Sequence, residues 1–277
     1  MRLLHTVFLA GMIIFTVPVS LAAEAEASCA FSSAAGVKLE SFNYRELSES
    51  GALIDKETGL LPGLQLGLAA DCAQWQYSIS AGRQRARLEY DGQTNSGRKL
   101  LSRTMENTHE VSAQLGRHFS TGLVNNFDIY AGVGHWQWRR EIASVGSVSG
   151  LDETYRWRFY YLGGNSAFFQ QGANQIMLDI RWLRISRARL SVDFLGVFDK
   201  PGDLDLPARN GWRVVIPWQH TLSPVNSIRV EPYAQGWKIR RSGGQPLSRS
   251  GVVVGDFFEP ASQTRAYGIN ATWSHLF

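Results

Sequence analysis

Charge is scarce in this chain. Asp, Glu, Lys and Arg make up 19% of its 277 residues, against about 25% in ordinary soluble domains. Cysteine is scarcer still: Cys29 and Cys72 stand alone, with no neighbouring ligands that would make a zinc site of them. Long apolar runs are missing beyond Ala25, so no transmembrane helix of about 20 residues is expected. The formal net charge is a modest +4, and no basic cluster has the form of a nucleic-acid motif.

What is present points to strands. Glycine is plentiful at 27 residues and aromatics reach 12%, a mixture that suits strands and turns better than helices. The N-terminus is a separate case. Arg2 precedes the apolar run Val7 to Val19, and Ser20-Leu21-Ala22 and Ala23-Glu24-Ala25 both offer small residues for cleavage. Residues 1–25 are expected to be a cleaved secretory signal, leaving 26–277 as one domain. Glu26, three residues before Cys29, argues against a lipoprotein signal. Export places Cys29 and Cys72 in an oxidising compartment, where a disulfide is expected.

Period-two alternation then runs the length of the chain. Leu64, Leu66, Leu68 and Ala70 alternate with Gln65, Gly67 and Ala69; Trp75, Tyr77, Ile79 and Ala81 alternate with Gln76, Ser78 and Ser80. Similar segments recur through Ile176–Trp182, Trp212–Trp218 and Ala266–Phe277, giving about ten strands. Connections alternate short and long, as in an up-and-down barrel with turns at one end and loops at the other. The expected fold is all-β: a closed antiparallel transmembrane barrel of about ten strands, with eight or twelve as alternatives.

Alternation alone does not say which face is outside. One face carries charges of both signs, including Lys38, Glu40, Glu110, Asp128, Arg156, Asp179, Arg181, Arg213, Arg229 and Glu231. Such charges are costly in a dry core and acceptable in a polar lumen. Aromatics cluster toward strand ends: Trp75, Tyr77, Tyr155, Trp157, Trp212, Trp218, Tyr267, Trp273 and Phe277. That distribution suits two membrane-interface girdles. The apolar face is therefore expected to meet lipid, with Arg156, Arg158, Tyr160 and Trp237 lining and plugging the lumen. Gly67, Gly82, Gly116, Gly132 and Gly134 on the inner face leave room for a slot or for bulky neighbours.

The signal segment, the even strand count and the terminal Phe277 on an alternating strand resemble Gram-negative outer-membrane β-barrel proteins. Glu57–Gly63 and Glu259–Gly268 resemble segments of proteobacterial members of that class. The resemblance implies an outer-membrane location with periplasmic termini and extracellular long loops. It also implies a C-terminal strand, carrying Tyr267, Ile269, Trp273 and Phe277, that is read by the barrel-assembly machinery. His275 departs from that pattern. The loop end is rich in arginine, and Arg83, Arg85, Arg139, Arg140, Arg240 and Arg241 are expected to meet the phosphates of lipopolysaccharide. A structural or binding role follows, with no cofactor, metal or nucleic-acid partner and a monomeric state. A narrow pore and a hydrolase are the alternatives. Ser274 and His275 point to opposite faces and cannot form a dyad. Asp199, Asp203 and Asp205 share a loop without a histidine, unlike the acid–histidine pairs of the barrel proteases.

Overall fold

The computed structural model describes residues 29–277 apart from 95–96, 122–123 and 208, so the expected signal segment lies outside the described residues. Strands β1 (Cys29–Leu47), β2 (Leu53–Cys72), β3 (Trp75–Gln93), β4 (Lys99–Thr121), β5 (Val124–Ile142), β6 (Leu151–Gln171) and β7 (Asn174–Asp193) form an antiparallel meander. Next come β8 (Gly202–Leu206), β9 (Asn210–Val215) and β10 (Trp218–Ser223), which follow one another along the free edge of β7 as one interrupted stave. β11 (Asn226–Ile239) pairs with β9, β10 and β14 (Ala261–Leu276), and β14 pairs with β1. The barrel thus closes with ten staves, all antiparallel, and the alternatives of eight and twelve are set aside. A separate hairpin of β12 (Gln245–Arg249) and β13 (Val252–Phe257) lies in the β11–β14 connection.

Both described ends of the chain sit at the end with the short turns. Cys29 pairs with Cys72 in register and the two are disulfide-bonded. The Phe277 amide donates to the Phe31 carbonyl at 2.8 Å. The bond therefore fastens the start of β1 to the first turn.

The staves are far longer than a bilayer requires. β4 has 23 residues, where a tilted membrane strand needs about 9–11. Lys56–Leu61 and Ala188–Val192, far from the short turns, still continue the ladder. The reason lies in the outward-facing series. On β3 it reads Trp75, Tyr77, Ile79, Ala81 and then Arg83, Arg85, Arg87, Glu89. On β2, Leu68, Leu66, Leu64, Pro62 and Leu60 give way to Thr58 and Lys56. The outside of the barrel is apolar toward the turn end and polar toward the loop end.

The inside is inverted in step. Toward the turn end it is lined by Ser78, Ser80, Ser112, Gln114 and Ser274. Toward the loop end it is filled by Phe42, Tyr44, Leu88, Trp138, Tyr155, Trp157, Leu190 and Val192, all buried. One set of staves thus builds a polar-centred barrel and, above it, a barrel with an ordinary hydrophobic core. This corrects several expectations. Tyr155 and Trp157 are 0% and 4% exposed and face inward, whereas Tyr160 is 49% exposed, and Arg156 and Arg158 face out with it. They lie mostly beyond the apolar belt, where water outside reverses the sign of the pattern.

Candidate functional site

The interior has three tiers. The lowest is a water-accessible cavity of about 780 Å³ that reaches the turn end at Ser223, Asn226 and Leu276. Lys38, Asp179, Arg181, Arg213, Arg229 and Glu231 project into it, as expected for lumen residues. Most of these charges are matched: Lys38 with Glu40 at 3.6 Å, Arg181 with Asp179 at 3.0 Å and Arg229 with Glu231 at 2.8 Å. Pairing lets the low-dielectric wall tolerate them. Arg213 differs. It donates to Gln235 at 3.2 Å and lies 4.3 Å over the Tyr233 ring.

The middle tier is aromatic. Trp136 stacks on Trp157 with centroids 5.9 Å apart, and Trp237 meets both at 5.7 and 6.2 Å. Phe159 and Tyr161 continue the layer below. Glycines provide the sockets. A Cβ at Gly132 would enter the Tyr161 ring, and one at Gly268 would enter the Tyr233 ring. Gly132 and Gly134 therefore admit bulky neighbours, the second of the two possibilities raised by the sequence, whereas Gly67 and Gly82 meet no ring and line the open cavity.

The upper tier centres on Arg140, on the loop side of the apolar belt. Its Nε and Nη2 donate to the two oxygens of Glu57 at 3.2 and 3.0 Å, a bidentate pair. Nη1 donates to Glu153 at 2.6 Å, to the Tyr155 hydroxyl at 3.1 Å and to Glu46 at 3.4 Å. The guanidinium also lies 4.5 Å over the Tyr44 ring. Tyr44 and Tyr155 donate in turn to Glu259 at 3.1 and 2.8 Å. Arg140 is fully buried. It was expected at the rim; alternation turns it inward, so it is withdrawn from any contact with a lipid headgroup.

One guanidinium thus faces Glu46, Asp55, Glu57, Glu106, Glu153 and Glu259, more carboxyls than it can neutralise. Burial works to raise Glu57, but Arg140 and hydrogen bonds, including one from Thr104 at 2.6 Å, hold its carboxyl below the ordinary range. Burial raises Glu106, and the neighbouring Glu57 charge adds to it. Glu106 Oε1 finds no donor among the described residues, which fits a protonated carboxyl facing Glu57. Burial raises Asp55 and Glu259 as well, and pushes Glu153 up to about 7. Burial opposes the Arg140 charge, yet Glu57 and Glu153 hold it firmly cationic. The raised carboxyls hold their protons more firmly than ordinary ones do. Among the described residues no group of His, Cys, Asp and Glu has the geometry to hold a metal ion.

The loop end closes above this tier. Phe257 of β13 packs on Phe194 at 5.2 Å, edge to face. Asp199 accepts from the Ser250 and Gly251 amides at 2.8 and 3.0 Å. The loop acids are therefore structural at Asp199, while Asp205 pairs with Arg189 at 3.1 Å on the surface.

The other expected rim residues are exposed. Arg139 is held by Glu141 at 3.2 Å and Asp152 at 3.0 Å, and Arg241 by Glu49 at 3.3 Å. Arg83, Arg85 and Arg240 face outward. Arg83, expected from the sequence, belongs to a partial ring on six of the ten staves whose other members were not among the expected contacts. One step beyond the apolar belt stand Arg83 on β3, His109 on β4, His135 on β5, Arg158 on β6, Arg184 on β7 and Arg265 on β14. The signal was legible as the point on each of these six strands where the outward parity changes from apolar to basic. Tyr267, Ile269 and Trp273 are exposed on the outer face of β14, and Phe277 is 76% exposed.

No protein-family model matches the chain, and comparison with curated protein sequences finds no match. Comparison of folds does. The outer-membrane protease OmpT from Escherichia coli superposes with a TM-score of 0.65 at 9% identity, covering 90% of this chain and 97% of that one. The translocator domain of the autotransporter NalP from Neisseria meningitidis gives 0.46 at 10% identity, over 90% and 88% of the two chains. The fold is that of the outer-membrane β-barrels of Gram-negative bacteria. At such identity the likeness is one of fold and carries no catalytic residue across.

Proposed function

We propose that the protein is an integral outer-membrane barrel with a structural or binding role, which docks lipopolysaccharide phosphates on its basic ring and does not conduct. The termini and turns face the periplasm and the long staves project from the cell, the usual arrangement of short turns and long loops. The observation that carries the reading is the ring itself. Arg83, Arg158, Arg184 and Arg265, with His109 and His135, stand where the apolar belt ends, at the height of headgroup phosphates. Guanidinium groups take phosphates bidentately. Arg85 and Arg240 extend the basic surface upward, while Arg139 and Arg241 are engaged by acids.

The tiers above the cavity support a closed lumen. A solute path would have to pass Trp138 and Arg140, which are 1% and 0% exposed. The C-terminal strand is the element we assign to recognition by the assembly machinery.

The test has two arms. Planar-bilayer recording of purified protein is expected to show no discrete steps, and steady steps would favour the pore. The triple variant Arg83→Glu/Arg158→Glu/Arg265→Glu is expected to co-purify with several-fold less lipopolysaccharide while remaining folded. Unchanged lipid content would remove the binding role.

A further inference from the structure

We infer that the barrel interior holds a binding site for a small carboxylate with a short apolar tail. The carboxylate sits on Arg213 and the tail enters an alcove walled by tryptophan. The alcove has a volume of about 60 Å³ and lies between Trp136, Trp157, Phe159, Ile185 and Trp237. Arg213 and Arg181 stand at its mouth, where it joins the larger cavity of about 780 Å³. That cavity gives it a route to the turn end.

Three unpartnered donors belong to the lining of the alcove. Arg213 Nε, Trp136 Nε1 and Trp237 Nε1 are buried and meet no acceptor among the described residues, and all three residues line the alcove. A buried donor left without an acceptor costs about 1–3 kcal/mol. Three in one place are an arrangement a ligand oxygen would relieve. Arg213 also forms no ion pair with any described carboxylate, unlike Lys38, Arg181 and Arg229 beside it. Glu110 also lines the alcove, and Arg181 there is matched by Asp179, which leaves Arg213 as the lining cation without an ion pair among the described residues. The site is therefore donor-rich and apolar at its end, the features of a pocket that orients a small amphiphile with a few polar groups.

Volume limits the tail. The alcove is well below the roughly 150 Å³ of a cavity that takes benzene, so a short alkyl chain fits better than a whole ring. Each methylene buried adds about 0.8 kcal/mol, or about fourfold in affinity. Butyrate is thus expected to bind about 15-fold more tightly than acetate.

The experiment titrates the full chain in detergent with acetate, butyrate and, as a neutral control, 1-butanol, following tryptophan emission. Saturable change with butyrate is expected, with acetate weaker by the factor above and 1-butanol weaker by at least about tenfold, since a hydrogen bond to a charged group is lost. Arg213→Met is expected to abolish the preference for butyrate over 1-butanol. Trp237→Phe keeps a ring and loses a donor, and is expected to weaken butyrate by a few-fold. Each variant is first shown to be folded by its heat-modifiable gel mobility. No saturable response in the folded parent, equal affinity for acetate and butyrate, an unchanged preference for butyrate over 1-butanol in Arg213→Met, or unchanged butyrate affinity in Trp237→Phe would overturn the site.

Discussion

Replacing Arg140 by Met tests the upper tier directly. The substitution removes the bidentate donation to Glu57 at 3.2 and 3.0 Å and the contact with Glu153 at 2.6 Å, and leaves an acidic cluster without its cation. Breaking one side of a buried ion pair costs about 3–5 kcal/mol, so a loss of that size is expected at pH 8. The loss has a pH signature. Glu153 is pushed up to about 7 by burial and by Glu46 and Glu57. Its folded value lies above its unfolded one, so its contribution is complete below about pH 4.5 and is lost as pH rises through about 7. A shift of that size is worth on the order of 3 kcal/mol. Glu57 runs the opposite way: its lowered value stabilises above the unfolded range and is lost in acid. The parent protein should therefore be more stable near pH 5 than at pH 8. In Arg140→Met the carboxyls freed of the guanidinium take up protons more readily, so the deficit should shrink at pH 5. Urea unfolding in detergent at the two values, read by tryptophan emission, measures both. A deficit below about 1 kcal/mol at pH 8, or one of equal size at pH 5, would refute the reasoning.

Two further outcomes follow from the geometry. Gly268→Val forces a branched side chain into the Tyr233 ring and is expected to lower stability by about 1–3 kcal/mol, seen as a lower unfolding midpoint; an unchanged midpoint would show that the ring moves aside freely. Cys29→Ser/Cys72→Ser removes the disulfide between the start of β1 and the end of β2 and is expected to cost about 2–4 kcal/mol. Thiol labelling of the denatured, unreduced parent should find no free cysteine.

Alternation made the barrel legible because the strand period is two whatever the medium. Ser78 against Ile79 and Asn270 against Ile269 sorted correctly, since both pairs lie within the apolar belt. Of the charges expected inside, Lys38, Glu110, Asp179, Arg181, Arg213, Arg229 and Glu231 all line the cavity. Arg156 and Arg140 failed for a shared reason. The sequence was read with one outside medium, whereas beyond Tyr160 on β6 and beyond Val133 on β5 the outside is polar and the aromatic face turns in. The carboxyl cluster was not legible at all. Glu46, Glu57, Glu106, Glu153 and Glu259 come from five different elements, and only closure of the barrel brings them to one guanidinium. The disulfide was legible because Cys29 precedes the first strand and Cys72 lies at the first short turn, which puts both at the same end of the barrel.

The reversal of polarity along each stave also fixes how deeply the molecule sits. Sinking it by one pleat would drag Arg83, Arg158, Arg184 and Arg265 into hydrocarbon, where a basic residue costs about 2–4 kcal/mol at the midplane and less near the edge. Lifting it would bare Leu60, Tyr160, Trp182 and Tyr267 to water. Both displacements are penalised on several staves at once, so the barrel has a waterline written into its sequence. The acidic tier is thereby held above the membrane at constant height, and a membrane of different thickness would strain the belt while leaving the projecting half unchanged.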